Sequence, residues 1–320
     1  MKKIILSFIL GLLLFGNVYG QWNPTTPIYI HSADPKILEA NPNLYEYVHL
    51  TNHYFYRKPG PNGETYDLRS IDPKRFTDQY LNNDDRRYAR DRNHPWLYRD
   101  MILDLEMNHI WKVDDPDWWR WTQDYINIMR MTKAAGKPVA TYGVYLQAQE
   151  YQIWWNLGRW SWHLDPKLNP GYYDSTQAQK RYWKMKLTEY QRKEDAMLVK
   201  FEKLGERFNN EIDAAVLELY MGYEIPSTSD TEWRWYAWKY LVEQKIAAYQ
   251  LAFPGKPIYV FIQPNFTVGW KPVPMDVWSG FVQYITSHAD VDRVYVFNSR
   301  LKDKTEGWDS VLINGPESVD

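Results

Sequence analysis

From about residue 25 onward, short runs of β-branched and aromatic residues alternate with longer stretches of helical periodicity. That is the pattern of an α/β domain built on parallel strands. The apolar runs predict strands over residues 28–31, 47–55, 101–107, 139–146, 214–221, 258–263 and 294–298, with an eighth over 310–313. Between them a period near 3.6 predicts helices over about 73–82, 116–135, 175–208, 231–252 and 277–288. Asp115-Pro116 supplies a helix cap followed by proline, and Ala135-Gly136-Lys137-Pro138 and Pro254-Gly255-Lys256-Pro257 each stop a helix ahead of a strand. The charged run from 177 to 207 reads as one long solvated amphipathic helix.

Seven or eight strands separated by helices in about 300 residues fit a (β/α)7–8 TIM-type barrel better than an open doubly wound sheet. No glycine-rich phosphate loop follows any strand, and no internal repeat or low-complexity linker divides the chain. The first twenty residues differ in kind. Lys2 and Lys3 precede an apolar stretch from Ile4 to Phe15, and Val18-Tyr19-Gly20 has the small-residue ending of a signal-peptidase site. The expectation is therefore a signal peptide over 1–20 and a single catalytic barrel domain over 21–320. The apolar stretch is short for a membrane span and nothing like it recurs, so no membrane span is expected. Secretion, a periplasmic location or a cell-surface location follows, without lipid anchoring through a cysteine at the cleavage site.

Composition narrows the chemistry. The chain has 320 residues and no cysteine, which removes thiol catalysis, cysteine–zinc sites and disulfides. Its formal charge of −2 lacks the basic excess of a nucleic-acid binder. Loss of Lys2 and Lys3 leaves 36 basic against 40 acidic residues. Aromatic residues make up 17% of the chain, with 17 Trp and 26 Tyr, about twice the usual share. Flat rings in a cleft stack on the C–H faces of sugars while polar side chains bond the hydroxyls, so the expected partner is a carbohydrate.

The segment Met101-Ile-Leu-Asp104-Leu-Glu106-Met-Asn108-His109 carries the sharpest chemical signal. On a strand, Asp104 and Glu106 share a face and Glu106 lies nearer the C-terminal end. Close carboxylates push one pKa upward, leaving the outer Glu106 able to hold a proton at neutral pH and act as a general acid. The alternative is a carboxylate pair satisfied by arginine or backbone partners. Glu218 shares a strand face with Tyr220 and is a second catalytic candidate, a nucleophile opposite Glu106, or else a member of an interior ion pair. No spacing of His, Asp and Glu marks a metal site, no cofactor motif appears, and no Gly-x-Ser-x-Gly elbow is present.

The apolar run ending in Asp104-x-Glu106 resembles the catalytic strand of barrel glycoside hydrolases of the hyaluronidase and chitinase-like group, and lysozyme-like barrels carry a similar strand. The succession Ala140-Thr-Tyr142-Gly-Val-Tyr145, then Glu218 with Tyr220, then Tyr259-Val-Phe261-Ile-Gln263, then Val294-Tyr295-Val-Phe297-Asn298 is similar to the later strands of hyaluronidase-type barrels. That resemblance implies Glu106 as proton donor and Asp104 as the residue orienting a substrate acetamido group that serves as nucleophile. Tyr142, Tyr145 and Tyr220 are then the candidates to bind it. Phe297-Asn298 stands where the group has a tryptophan.

The remaining binding candidates are polar or aromatic residues at strand exits: Asn52 and His53, Gln263 and Asn298. The segment 147–174 is expected to be a long loop following a strand, where Trp154 and Trp155 would provide stacking platforms. Trp118, Trp121, Trp235 and Trp238 fall at helical spacing and are expected to fill the core. The leading expectation is an exported glycoside hydrolase. A glycan-binding protein on a degenerate barrel and a polysaccharide lyase are the alternatives.

Overall fold

Apolar alternation along the strands gives the chain two separate hydrophobic regions, and the strand pairing explains why. The computed structural model describes residues 26–31, 41, 44–50, 56–57, 67–71, 101–104, 112–134, 140–142, 148–222, 232–266, 271–297 and 307–316. In chain order these form β1 (Ile28–His31), β2 (Leu44–Leu50), β3 (Tyr56–Arg57), β4 (Asp67–Ile71), β5 (Met101–Asp104), α1 (Trp118–Ala134), β6 (Ala140–Tyr142), α2 (Ala148–Leu164) and α3 (Gln177–Phe208). There follow β7 (Ala214–Glu218), α4 (Glu232–Ala252), β8 (Ile258–Ile262), α5 (Met275–Thr286), β9 (Arg293–Val296) and α6 (Trp308–Asn314).

Seven strands form a parallel sheet in the order β1-β2-β5-β6-β7-β8-β9, and β1 also pairs with β9, so the ladder returns to its first strand. β3 and β4 make a separate antiparallel pair. Side chains of alternate residues leave the sheet on opposite faces. On β7, Ala215 and Leu217 join Ile258, Val260, Val294 and Val296 in the large core against the helices. Ala214 and Val216 instead pack with Phe261 and Tyr295 on the inner face.

One expected element changes type. Residues 310–313 are not an eighth strand but lie within helix α6. Trp308, Val311 and Leu312 are buried at positions i, i+3 and i+4, Trp278 Nε1 donates to the Trp308 carbonyl at 3.1 Å, and Asn41 Nδ2 donates to the Leu312 carbonyl at 2.9 Å. A run as short as Val-Leu-Ile satisfies either period, and packing against α5 decides it. The expected helix over 73–82 lies outside the described residues, as do the ends of several expected strands.

The second difference is larger. The segment 147–174 is not a loop: most of it is α2, which packs with α3 and α4 as a three-helix tower. Its aromatic sequence is helical because it is covered on two sides, with Trp154 against Phe201 of α3 and Trp155 against Trp233 of α4. Trp154 meets Phe201, whereas Trp160 and His163 further along α2 meet Tyr182 and Trp183, so α2 and α3 run antiparallel. Thr176 and Gln179 form a reciprocal capping box that starts α3. Its buried residues, Met197, Phe201, Leu204, Gly205 and Phe208, all lie in the C-terminal part. That end leads directly into β7, while Tyr151 of α2 meets Gly222 just beyond the other end of β7. At 1.5 Å per residue, the part of α3 before Phe201 is about 36 Å long.

Close backbone approach holds the tower to its base. A Cβ on Gly205 would lie 2.0 Å from the Ala252 carbonyl oxygen of α4. Gly205→Ala should therefore destabilise the fold by about 1–3 kcal/mol in urea denaturation, although alanine is the better helix former. At the upper end, burial, with the Arg159 charge beside it, holds the His163 imidazole below its ordinary value. The unfolded chain then binds a proton more readily than the folded one. Stability from this group is complete above the ordinary histidine value near 6.5 and is lost as pH falls through the lowered one. His163→Phe keeps the ring stack and removes the titration, so the variant should lose less stability than the parent between about pH 7.5 and about pH 5.

Candidate active site at the strand exits

Rings from β1, β2, β8 and β9 meet on the inner face of the sheet. Tyr29 stacks on Tyr295 at 4.9 Å and on Tyr45 at 5.1 Å, and Tyr295 stacks on Phe261 at 5.3 Å. At the N-terminal side the Arg293 guanidinium lies over Tyr259 at 4.8 Å and Tyr29 at 5.3 Å. Parallel α/β sheets take their ligands at the carboxyl ends of the strands. β7 marks the opening: its first four residues are buried and the fifth, Glu218, is partly exposed.

Strand register places the other candidates around that end. Asp104, the last residue of β5, pairs with Tyr142, the last residue of β6. Thr141 pairs with Ala215, so Tyr142 is level with Val216, two residues before Glu218. Glu218 pairs with Phe261, and Phe261 pairs with Tyr295. Asp104 and Glu218 thus end strands two positions apart in the ladder, about 10 Å in the hydrogen-bonding direction. Beyond β7, half-buried Tyr220 stacks on Phe297 at 6.5 Å. Gln263, only 3% exposed, follows β8 directly.

Two residues not anticipated from the sequence fix this rim. Lys245 of α4 is buried, 7% exposed, and its Nζ donates to the Glu218 backbone carbonyl at 2.5 Å. The described ladder between β6 and β7 ends at the Thr141–Ala215 pair, so the ammonium meets a carbonyl past the last rung. Lysine is seldom buried without a partner. Its position in the apolar stripe Leu241, Val242, Lys245, Ile246, Tyr249 is the signal that could have found it. Tyr151 is the second: its hydroxyl accepts from the Gly222 N–H at 2.8 Å, and a Cβ on Gly222 would lie 2.6 Å from the Tyr151 ring.

Trp154 and Trp155 do not belong to this rim, which corrects the expectation of stacking platforms. They are 1% and 5% exposed and serve as packing between helices, with Trp154 Nε1 donating to Glu194 Oε1 at 2.8 Å. Burial raises the pKa of Glu194 despite that bond. Trp118 and Trp238 are buried in the core, and Trp235 packs against it. Glu106, Tyr145, Asn52, His53 and Asn298 lie outside the described residues, and of Asp104 and Tyr142 the backbone alone is described. Among the described residues no group of three or more His, Asp or Glu could hold a metal ion, and no helix is long and apolar enough to cross a membrane.

No protein-family model matches the chain, and no curated protein does. Solved structures show a partial likeness of fold. A monoclinic crystal structure of bee venom hyaluronidase is similar at 8% identity and a TM-score of 0.41, over 90% of this chain and 95% of that one. The structure of bee venom hyaluronidase in complex with a hyaluronic acid tetramer is similar at 8% identity and a TM-score of 0.38, over 85% of each chain.

Tyr151→Phe leaves the buried Gly222 N–H without its acceptor. It should cost about 1–3 kcal/mol in denaturant unfolding and speed amide exchange at Gly222, whereas unchanged exchange there would show that the hydroxyl does not hold the β7 exit.

Proposed function

We propose that the chain is a glycoside hydrolase that cleaves a polysaccharide or other glycan, built on a seven-stranded (β/α) barrel of TIM type with its site at the strand exits. The observation that carries this reading is the register that brings Asp104, the last residue of β5, to the same end of the sheet as Glu218, with Tyr142 on the strand between them. Acidic residues at the mouth of an aromatic-packed barrel suit the two-carboxylate chemistry of glycosidic bond cleavage.

On this reading Glu106, two residues beyond Asp104 in the sequence, protonates the leaving oxygen. Asp104 supports it by orienting the substrate, through an acetamido group where the sugar carries one. Glu218 is then either the protein nucleophile or, with acetamido participation, a substrate-positioning carboxylate. Tyr220 and Gln263 then bind the sugar beside it, and Asn52, His53, Tyr145 and Asn298 extend the binding set. Export directed by residues 1–20, leaving 21–320 as one catalytic domain, completes the proposal.

Glu106→Gln should lower turnover about 10²–10⁴-fold on whichever glycan the parent cleaves, measured by reducing-end release, with binding and thermal stability retained. Retention of most activity would overturn the assignment. An N-acetyl-thiazoline inhibitor separates the two nucleophile schemes: tight binding supports the acetamido group, and indifference supports Glu218.

A further inference from the structure

The upper half of α3 is a strongly basic surface on an acidic chain. Residues 177–193 hold six basic side chains, Lys180, Arg181, Lys184, Lys186, Arg192 and Lys193, against one acidic one, Glu189, while the whole protein is at −2. None of these seventeen residues is buried, and Met185 is 56% exposed. Arg181, Lys184, Met185, Thr188, Glu189 and Arg192 recur at helical spacing and share one solvent-facing stripe of α3. Glu189 is already matched: Lys193 and Lys186 donate to its carboxylate at 2.7 and 2.9 Å and hold its pKa down to about 2. Arg181 reaches only the backbone carbonyl of Gln177, and Lys184 and Arg192 make no ion pair among the described residues.

We propose that this face of α3 is a docking ridge for an anionic polysaccharide chain, which it holds outside the cleft at the strand exits. The commitment to a glycan rests on the hydrolase reading; the commitment to negative charge rests on the ridge. Its free cations are sparse, since Arg181 and Lys184 form one group and Arg192 lies about 12 Å further along the helix. Duplex nucleic acid presents one charge per roughly 1.7 Å of axis and calls for a dense cationic array with no carboxylate inside it. A carboxylated sugar chain spaces its charges with neutral rings. Those rings offer hydroxyls to Thr188 and Glu189 and apolar faces to Met185 and the half-exposed Tyr182.

The test is affinity electrophoresis of the full chain in gels containing polygalacturonate, a neutral glucan, or oligothymidylate at matched charge. Polygalacturonate should retard the parent, weakly enough at high salt to mark an ionic contact, and the glucan should retard it far less. Combined Arg181→Glu, Lys184→Glu and Arg192→Glu substitutions should weaken retention at least about tenfold. The corresponding glutamine triple variant, gentler on the helix, should show a smaller loss in the same direction. Parent-like retention of a folded triple variant would overturn the proposal, as would equal retardation by oligothymidylate. Retention without cleavage of any glycan would refute the hydrolase reading and leave the ridge standing. Cleavage of a glycan by a chain whose ridge variants bind normally would do the reverse.

Discussion

Everything else in the molecule depends on the parallel ladder that returns to its first strand. Because β1 pairs with both β2 and β9, the parallel strands form one continuous ladder whose two faces carry separate packing. Among the described residues Ala214 and Val216 pack on the inner face with Phe261 and Tyr295, and Tyr29 stacks between Tyr295 and the exposed Tyr45. In parallel α/β sheets ligands bind at the carboxyl ends of the strands. The outer alternation, with Leu217, Val260 and Val296, packs against the helices. Burial of each such side chain contributes about 1.5–3 kcal/mol, and the two faces together fix the register. Register in turn sets Asp104 level with Tyr142 and brings Glu218 to the mouth.

The tower is a second consequence. α3 is longer than the strand it feeds, so its surplus rises past the sheet and takes α2 and α4 with it. Glycines set the closeness of that packing: Gly158 meets the Ala237 backbone and Gly205 the Ala252 carbonyl. From α4 a buried ammonium reaches back to the Glu218 carbonyl, and from α2 a tyrosine hydroxyl holds Gly222. The helices that project outward therefore also brace the strand end where the candidate carboxylate sits.

Much of this was legible in the amino-acid order. The α/β alternation, the long helix ending at Phe208 and the stop at Pro254-Gly255 follow from periodicity and turn chemistry. What periodicity missed was decided by tertiary cover. Val311-Leu312-Ile313 is too short to distinguish strand from helix until Trp278 packs beside it. Gln152-Ile-Trp-Trp-Asn-Leu-Gly reads as an aromatic loop because helices on two sides erase the single apolar stripe. The same error made Trp154 and Trp155 look like sugar platforms. Lys245 escaped notice because its charge is answered by a backbone carbonyl, which leaves no partner motif in the sequence.

The most direct measurement of the central claim is a crystal structure of the chain with an oligosaccharide bound. The account predicts sugar at the strand exits, with the carboxyl groups of Glu106 and Glu218 on opposite sides of one glycosidic bond. They would be about 5–5.5 Å apart for a retaining enzyme or about 6.5–9.5 Å for an inverting one. Acetamido participation would instead place Asp104 against the acetamido nitrogen. Sugar bound elsewhere, with Asp104 and Glu106 tied to arginines inside the barrel, would contradict it.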